Sequence, residues 1–157
     1  MKKTPLTKNR NERGFTLIEL MIVIAIIGIL IGAAVIGFKA ARKAGNEAAT
    51  LQDIKTVATV EIQYFNMNNR SFGTFDQLIK DKLVNERFSG NPPMTDGYVF
   101  TLKVVGKSSS APSSFTLNAD PQTDDTGKNH FYIDSGDSNI RFNATQAAGP
   151  NDAPFGG

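Results

Sequence analysis

The side chains of this chain that could do chemistry are mostly acidic, and they fall in two places. Glu19 is the one charged residue in an apolar run from Phe15 to Phe38. A carboxylate near the start of an apolar helix lies close to the positive end of the helix dipole, which lowers its cost there. Asp120, Asp124 and Asp125 follow one another closely in the second half of the chain. Loop carboxylates can bind calcium, so these three are weak calcium candidates, although their spacing is not that of an EF-hand and Asp-rich turns are usually solvated.

No catalytic motif accompanies these acids. The sequence lacks GxxxxGK[ST], GxSxG and HExxH. Its single histidine, His130, precedes Phe131 in a strand-like run, where we expect a half-buried strand residue and neither a base nor a metal ligand. The chain has no cysteine, which excludes disulfides, thiol-linked haem and Cys-type zinc sites. We therefore expect no enzymatic activity and no cofactor.

The apolar run that holds Glu19 predicts a membrane-spanning helix. Twenty-four residues at about 1.5 Å each cover roughly 36 Å, more than the hydrocarbon core of about 30 Å. The 14 residues before it carry five of the 17 Lys and Arg side chains and one acid, which leaves 12 basic and 14 acidic residues beyond them. By the positive-inside rule, this asymmetry is expected to keep residues 1–14, the leader, in the cytoplasm. We read it as a topology signal, and expect no sequence-specific nucleic-acid binding.

Beyond Lys39 the pattern stays helical. Segment 39–67 is rich in Ala, Glu, Lys and Gln and contains no proline. Apolar residues at steps of three and four predict one stripe on which a head domain packs, namely Leu51, Ile54, Ala58, Ile62 and Phe65. The opposite, polar side carries Lys43, Glu47, Asp53 and Lys55. One helix from about residue 16 to residue 67 is predicted, apolar in its first half and amphipathic in its second.

The remaining residues predict a small α+β head. Thr74 and Gln77 have the spacing of a capping box that opens a short helix. Segment 86–97 contains Pro92-Pro93 and is expected to be a loop. Four β-rich runs then predict two antiparallel hairpins, at 98–105, 114–119, 130–134 and 139–144. The fold class is therefore α+β, a long N-terminal helix packed on a small antiparallel sheet, and the last residues, 145–157, are expected to be a flexible tail.

Residues Arg13 to Leu30, RGFTLIELMIVIAIIGIL, resemble the class III signal of type IV prepilins and type II secretion pseudopilins. The resemblance implies the type IV pilin fold and cleavage between Gly14 and Phe15 by a prepilin peptidase, with methylation of the new amino terminus at Phe15. It also implies that Glu19 pairs with the amino group of Phe15 of a neighbouring subunit during assembly. The chain would then consist of a cleaved leader (1–14), a transmembrane and filament-core helix half (15–38), an amphipathic helix half (39–67), a head (68–144) and a tail (145–157).

A second resemblance covers the head. The order GYVFTL, SFTLNADP, TGKNHFYIDSG and IRFN, from Gly97 to Asn143, is similar to the heads of a group of bacterial pilin-like proteins. Together the two resemblances imply a homopolymer, a helical pilus filament that serves adhesion, motility or DNA uptake. Its partners would be the prepilin peptidase, a pilus assembly platform and the inner membrane, before it becomes an extracellular filament. The alternative is a type II secretion pseudopilin or a minor pilin.

Three glycines, Gly28, Gly32 and Gly37, interrupt the apolar half of the helix. Small residues let membrane helices approach one another closely. The family resemblance offers a second interpretation, partial unwinding of this region on assembly. The sequence leaves both open.

Overall fold

A computed structural model describes residues 14–156. The predicted leader, except Gly14, therefore lies outside the described residues. The chain divides into two compact units with the boundary after Phe38, and each is described by itself below.

One helix, α1 (Leu17–Met67), runs through 51 residues without a break. It contains no proline, and its second half is rich in good helix formers. It ends where Asn69 and Arg70 adopt left-handed backbone angles, with φ of 50° and 59°, a conformation that commonly terminates helices. The Arg70 amide donates to the carbonyl of Phe65 at 3.0 Å and closes this end. The single long helix predicted from the sequence is confirmed.

The head is an α+β unit built on a five-stranded antiparallel sheet, in which each strand pairs with the next in sequence. A short helix, α2 (Phe75–Lys80), begins at the predicted Thr74–Gln77 capping box, and a one-turn 3₁₀ helix follows at Glu86–Phe88. The strands are β1 (Met94–Thr95), β2 (Tyr98–Val105), β3 (Ser114–Pro121), β4 (His130–Asp134) and β5 (Arg141–Asn143).

Strand β1 lies inside the segment that the sequence assigned to a loop, so that assignment is corrected. Asp96 and Gly97 make the two-residue turn between β1 and β2, both with positive φ (51° and 76°). Positive φ at both positions is the requirement of a tight hairpin turn, and Asp-Gly is a preferred sequence for it. Pro92-Pro93 forms no central strand, as expected. The Asp96-Gly97 pair that follows is the sequence feature that predicts the hairpin.

The stripe by which α1 packs on the sheet differs from the predicted one. Ile54 is fully buried as expected, but Ile62 remains 54% exposed, while Asp53, predicted on the polar side, is 3% exposed. The buried positions of α1 are Thr50, Asp53, Ile54, Val57, Glu61 and Tyr64. The predicted Leu51 and Ala58 still pack against the core, but two acids that the sequence did not place there are buried with partners in the head. Arg87 forms an ion pair with Asp53, and the Gly73 amide donates to Glu61 at 2.9 Å.

The loop between β3 and β4 is fastened to α1 by Glu47. Its carboxylate accepts hydrogen bonds from the amides of Lys128 (2.7 Å) and Asn129 (3.2 Å) and from the Asn129 side chain (2.8 Å). The buried Tyr98 donates to the Asn129 carbonyl at 2.9 Å. Gly127 lies so close to the Tyr98 ring that an added Cβ would overlap it. These contacts give a packing reason for Tyr98 and Gly127, two residues of the second resemblance.

The segment after β5 also differs from the expected flexible tail. Its backbone is hydrogen bonded to the sheet, since the Phe142 amide donates to Ala153 at 3.0 Å and the Phe155 amide donates to Ile140 at 2.7 Å. The Phe155 ring meets Phe142 edge-on at 5.5 Å. Main-chain pairing needs no sequence periodicity, which is why the pattern gave no sign of it.

Candidate processing and assembly site

The start of α1 is a capping box formed by Thr16 and Glu19. The Glu19 Oε2 atom accepts from the Thr16 amide at 2.8 Å and from the Thr16 hydroxyl at 2.9 Å. In return, the Glu19 amide donates to the Thr16 Oγ1 atom at 3.3 Å. This is the reciprocal arrangement of a Ser/Thr residue with a Glu three positions later. It fixes the first turn of the helix and places the carboxylate beside that turn.

Sequence reasoning missed Thr16, although the T-x-x-E spacing was readable. The same spacing rule was applied at Thr74 and Gln77, where the structure confirms it. At Thr16 the flanking residues carried a stronger signal, the apolar run itself, and the cap within it went unnoticed. Thr16 therefore joins Glu19 as a residue of the candidate site.

The Glu19 carboxylate keeps free bonding capacity in the single chain. Both of its accepted hydrogen bonds end on Oε2, and within residues 14–156 no hydrogen bond ends on Oε1. A carboxylate can accept about four hydrogen bonds. The side chain is exposed, so a cationic or donor group from outside the chain can reach it without breaking the capping box.

The peptide bond between Gly14 and Phe15 precedes the helix. Gly14 and Phe15 are not helical, and Phe15 is 85% exposed. A Cβ added at Gly14 would meet nothing within 4 Å. Both residues of this bond are therefore exposed and lie before the first turn of the helix.

From Leu17 to Val35, and again at Phe38, the large apolar side chains of α1 are exposed. By length and composition this is the one helix among residues 14–156 suited to cross a membrane, with a mean hydropathy of 3.0 in its most apolar window. A Cβ added at Gly28, Gly32 or Gly37 would meet nothing within 4 Å. The reason for these glycines therefore does not lie in contacts within this unit.

The three calcium candidates do not come together as one group. Asp120 forms a contact of 2.6 Å with the Nδ1 atom of His130, while Asp125 pairs with Lys39 at 3.3 Å, and Asp124 is exposed. The part of the chain that the structure describes holds no cluster of three or more potential metal-ligating acids, histidines or cysteines. His130 is a partly buried residue of β4, as the sequence suggested.

Comparisons with known proteins match the N-terminal part of the chain. Residues 9–35 match the family described as the prokaryotic N-terminal methylation motif. The chain is also similar to the type IV major pilin protein PilA of Myxococcus xanthus (strain DK1622), with 39% identity over 62 residues. That match covers 40% of this chain and 28% of the PilA chain. No solved structure matches. The resemblance to type IV pilins predicted from Arg13 to Leu30 is confirmed, as are the apolar N-terminal helix and the α+β head.

Proposed function

We propose that this chain is the structural subunit of a type IV pilus filament, a homopolymer held together by the apolar half of α1. The observation that carries the proposal is the methylation motif at residues 9–35, together with a helix whose large apolar side chains are exposed from Leu17 to Val35. A structural role also fits a chain without a catalytic motif. Whether the filament serves adhesion, motility or DNA uptake depends on its surface.

Processing comes first in the proposed sequence of events. The prepilin lies in the inner membrane with its basic leader in the cytoplasm and its head outside. A prepilin peptidase cleaves between Gly14 and Phe15 and methylates the amino group of Phe15. The cleaved end of the chain then directly precedes the Thr16–Glu19 capping box.

Polymerisation requires the helix to leave the lipid. Lipid tails are as apolar as the side chains of Leu17–Phe38, so exchanging lipid for neighbouring helices gives little hydrophobic gain. An assembly platform must therefore do work to extract the subunit. Once the filament is in water, each large aliphatic side chain contributes about 1.5–3 kcal/mol when buried. This burial makes the extracellular filament durable.

Glu19 gives the polymer its register. Within an apolar filament core its charge is costly unless it is paired. The free Oε1 atom accepts a hydrogen bond from the positively charged amino group of Phe15 of a neighbouring subunit. The capping box supports this role because it fixes the carboxylate on the first turn of the helix, next to Phe15. A single charged pair in an apolar interface disfavours every register that leaves it unpaired.

The outward surface of the filament is formed by the head. We assign what the filament touches to the β2–β3 loop around Ser108–Ser114 and to the loop at 120–129. Residues 122–125 and most of the serine-rich loop are exposed. Exchanging either loop without changing adhesion or another surface property would contradict this assignment.

The deciding experiment is negative-stain microscopy of sheared surface material from cells that express the chain, with mass spectrometry of the filament protein. Long filaments built of a chain that begins at methylated Phe15 are the expected result. Processed protein that stays in the membrane without filaments would instead indicate a pseudopilin or minor pilin. Protein that keeps residues 1–14 would contradict the proposed processing.

A further inference from the structure

Glu61 is an unusual residue for the centre of a packed head. Its side chain is fully buried on the face of α1 that contacts the sheet, between Val57 and Tyr64. Its Oε2 atom accepts one hydrogen bond, from the Gly73 amide at 2.9 Å. Its Oε1 atom is buried and has no hydrogen-bond partner among residues 14–156. One neutral donor is poor compensation for a buried negative charge.

The one donor that reaches the Glu61 carboxylate belongs to the turn between α1 and α2. Gly73 ends this turn, and a Cβ there would come within 3.0 Å of the Tyr64 ring and 3.2 Å of Leu78. The missing side chain lets the turn approach α1 closely enough for its amide to reach the carboxylate. Glu61 and Gly73 thus form the contact by which the turn is held on the helix.

The turn is the part of this environment that can open at the lowest cost. Asn69 and Arg70 are exposed and hold left-handed backbone angles. Phe72 ties the turn to the sheet, because its amide donates to the Ser113 side chain at 3.2 Å and its ring meets the Phe115 ring at 4.9 Å. Segments with exposed backbone and few buried contacts open before the core strands do.

Charged neighbours do not account for the state of Glu61. Burial raises its pKa to about 7, and the Gly73 hydrogen bond opposes the rise. The titratable side chains on the helices and the strand β2 that share this core include the buried Tyr64 and Tyr98 and the ion-paired Asp53 and Arg87. The exposed ones include Lys55, Arg70, Asp76, Lys80, Glu86 and Lys103. None of them contributes to the shift. The protonation of Glu61 is thus coupled to its burial beneath the turn.

We propose that Glu61 is a proton-operated latch that holds the turn 68–73 against α1 when its carboxyl group is neutral and releases it when the group ionises. A proton on the carboxyl group removes the buried charge, so the closed turn is favoured. Loss of the proton leaves a carboxylate that only water can solvate, and the turn opens to admit water. Opening separates Phe72 from Phe65 and Phe115, whose ring centroids lie 4.7 Å and 4.9 Å away. The head thereby gains an apolar, mobile surface as pH rises.

The test uses the full chain in non-ionic detergent micelles and two NMR readouts between pH 4.5 and pH 9. The carboxyl carbon of Glu61 reports its own titration, and the Gly73 amide reports opening through hydrogen exchange corrected for intrinsic base catalysis. We expect a titration midpoint near 7. Linkage between pKa values of 4.5 when open and about 7 when closed raises the opening equilibrium constant by up to about 300-fold. The Gly127 amide serves as the reference for opening of the rest of the head.

Two variants complete the test. In Glu61→Gln the opening of Gly73, after the same correction for base catalysis, should be independent of pH. The control Glu86→Gln, which removes an exposed acid, should keep the wild-type response. A Glu61 midpoint near 4.5, a Gly73 response that persists in Glu61→Gln, or equal opening of Gly73 and Gly127 would each overturn the latch. If Glu61→Gln does not fold, the wild-type chain still decides, because both readouts and the reference amide come from it.

Discussion

The two halves of α1 treat a carboxylate in opposite ways. In the first half, Glu19 is exposed among exposed apolar side chains, and its contacts lie within one helical turn. In the second half, Asp53 and Glu61 are buried and take partners from distant segments, Arg87 and Gly73. The second half thus takes its polar partners from its own chain. The first half is left with apolar surface and bonding capacity that other molecules must satisfy.

Replacement of Glu19 by alanine is expected to have the largest effect, because it acts at every subunit contact of the proposed filament. Leaving a buried charge unpaired costs about 3–5 kcal/mol, so the yield of sheared filaments should fall more than about 100-fold. Cleavage after Gly14 should persist and the unfolding of the head should not change. Immunoblots of sheared material measure the filament yield, and the mass of the processed chain reports the cleavage.

The control for this variant is Thr16→Val, which removes the capping hydroxyl and keeps the carboxylate. Loss of an N-cap costs about 1 kcal/mol, so this variant should reduce filaments far less than Glu19→Ala. Equal losses would mean that Glu19 matters as a helix cap, and normal filaments from Glu19→Ala would remove the assumed pairing altogether.

In the head, Gly127→Ala should be the most damaging glycine substitution. The new methyl group would overlap the buried Tyr98 ring, and overpacking of this kind costs about 1–3 kcal/mol. We expect the upper end, since Tyr98 is fully buried and its hydroxyl is fixed on Asn129. Urea unfolding measures the loss. Gly149→Ala, where an added Cβ meets nothing within 4 Å, should remain within about 0.5 kcal/mol of wild type.

The buried acid Glu61 predicts that the head becomes less stable as pH rises. Its pKa is raised from 4.5 to about 7 in the folded chain, so the native state holds a proton that the unfolded state has lost. Its stabilising contribution is complete below pH 4.5 and is lost as pH passes 7, by up to about 3 kcal/mol. Urea unfolding of Glu61→Gln should match wild type near pH 5 and exceed it near pH 8. If the free energy of unfolding of the wild type changed as little between pH 5 and pH 8 as that of Glu61→Gln, the assignment would be refuted.

A smaller effect is expected from the ion pair that satisfies Asp53. Burial raises the pKa of Asp53, and the Arg87 guanidinium opposes that rise. Arg87→Met keeps the aliphatic stem but strands the carboxylate, which should cost about 2 kcal/mol, below the range for fully buried pairs because Arg87 is partly exposed. Lys39→Met breaks the exposed pair with Asp125 and should cost less than about 0.5 kcal/mol. Similar losses from the two variants in urea unfolding would contradict the contrast.

The sequence predicted the features that rest on local pattern. The apolar run and the Arg13–Leu30 motif gave the first half of α1, and β-rich runs gave the four longer strands. Sequence patterns did not predict environments that depend on residues far away along the chain. Nothing near Glu61 in sequence shows that Gly73 will donate to it, and nothing near Asp53 announces Arg87, so the buried stripe was placed on the more apolar residues beside them. Thr16 is different, because its T-x-x-E spacing is a local pattern from which the capping box could be predicted.

The smallest effect within a single chain should come from Gly32→Ala, in the half of α1 that its own chain does not complete. An added Cβ meets nothing within 4 Å there, and alanine is favoured over glycine in a helix by about 1 kcal/mol. Circular dichroism in micelles should therefore show equal or slightly greater helix content, with unchanged unfolding of the head. Filament yield should nevertheless fall a few-fold, because a methyl group at this position keeps neighbouring helices apart or opposes unwinding. In Gly32→Ala the helix content should stay equal or rise while the filament yield falls, and these opposite changes distinguish the first half of α1 from the second. A glycine in the head, such as Gly127, is required by its own chain, whereas Gly32 would be required by other subunits alone. Undiminished filaments from Gly32→Ala would mean that the first half tolerates added bulk at this point even after assembly.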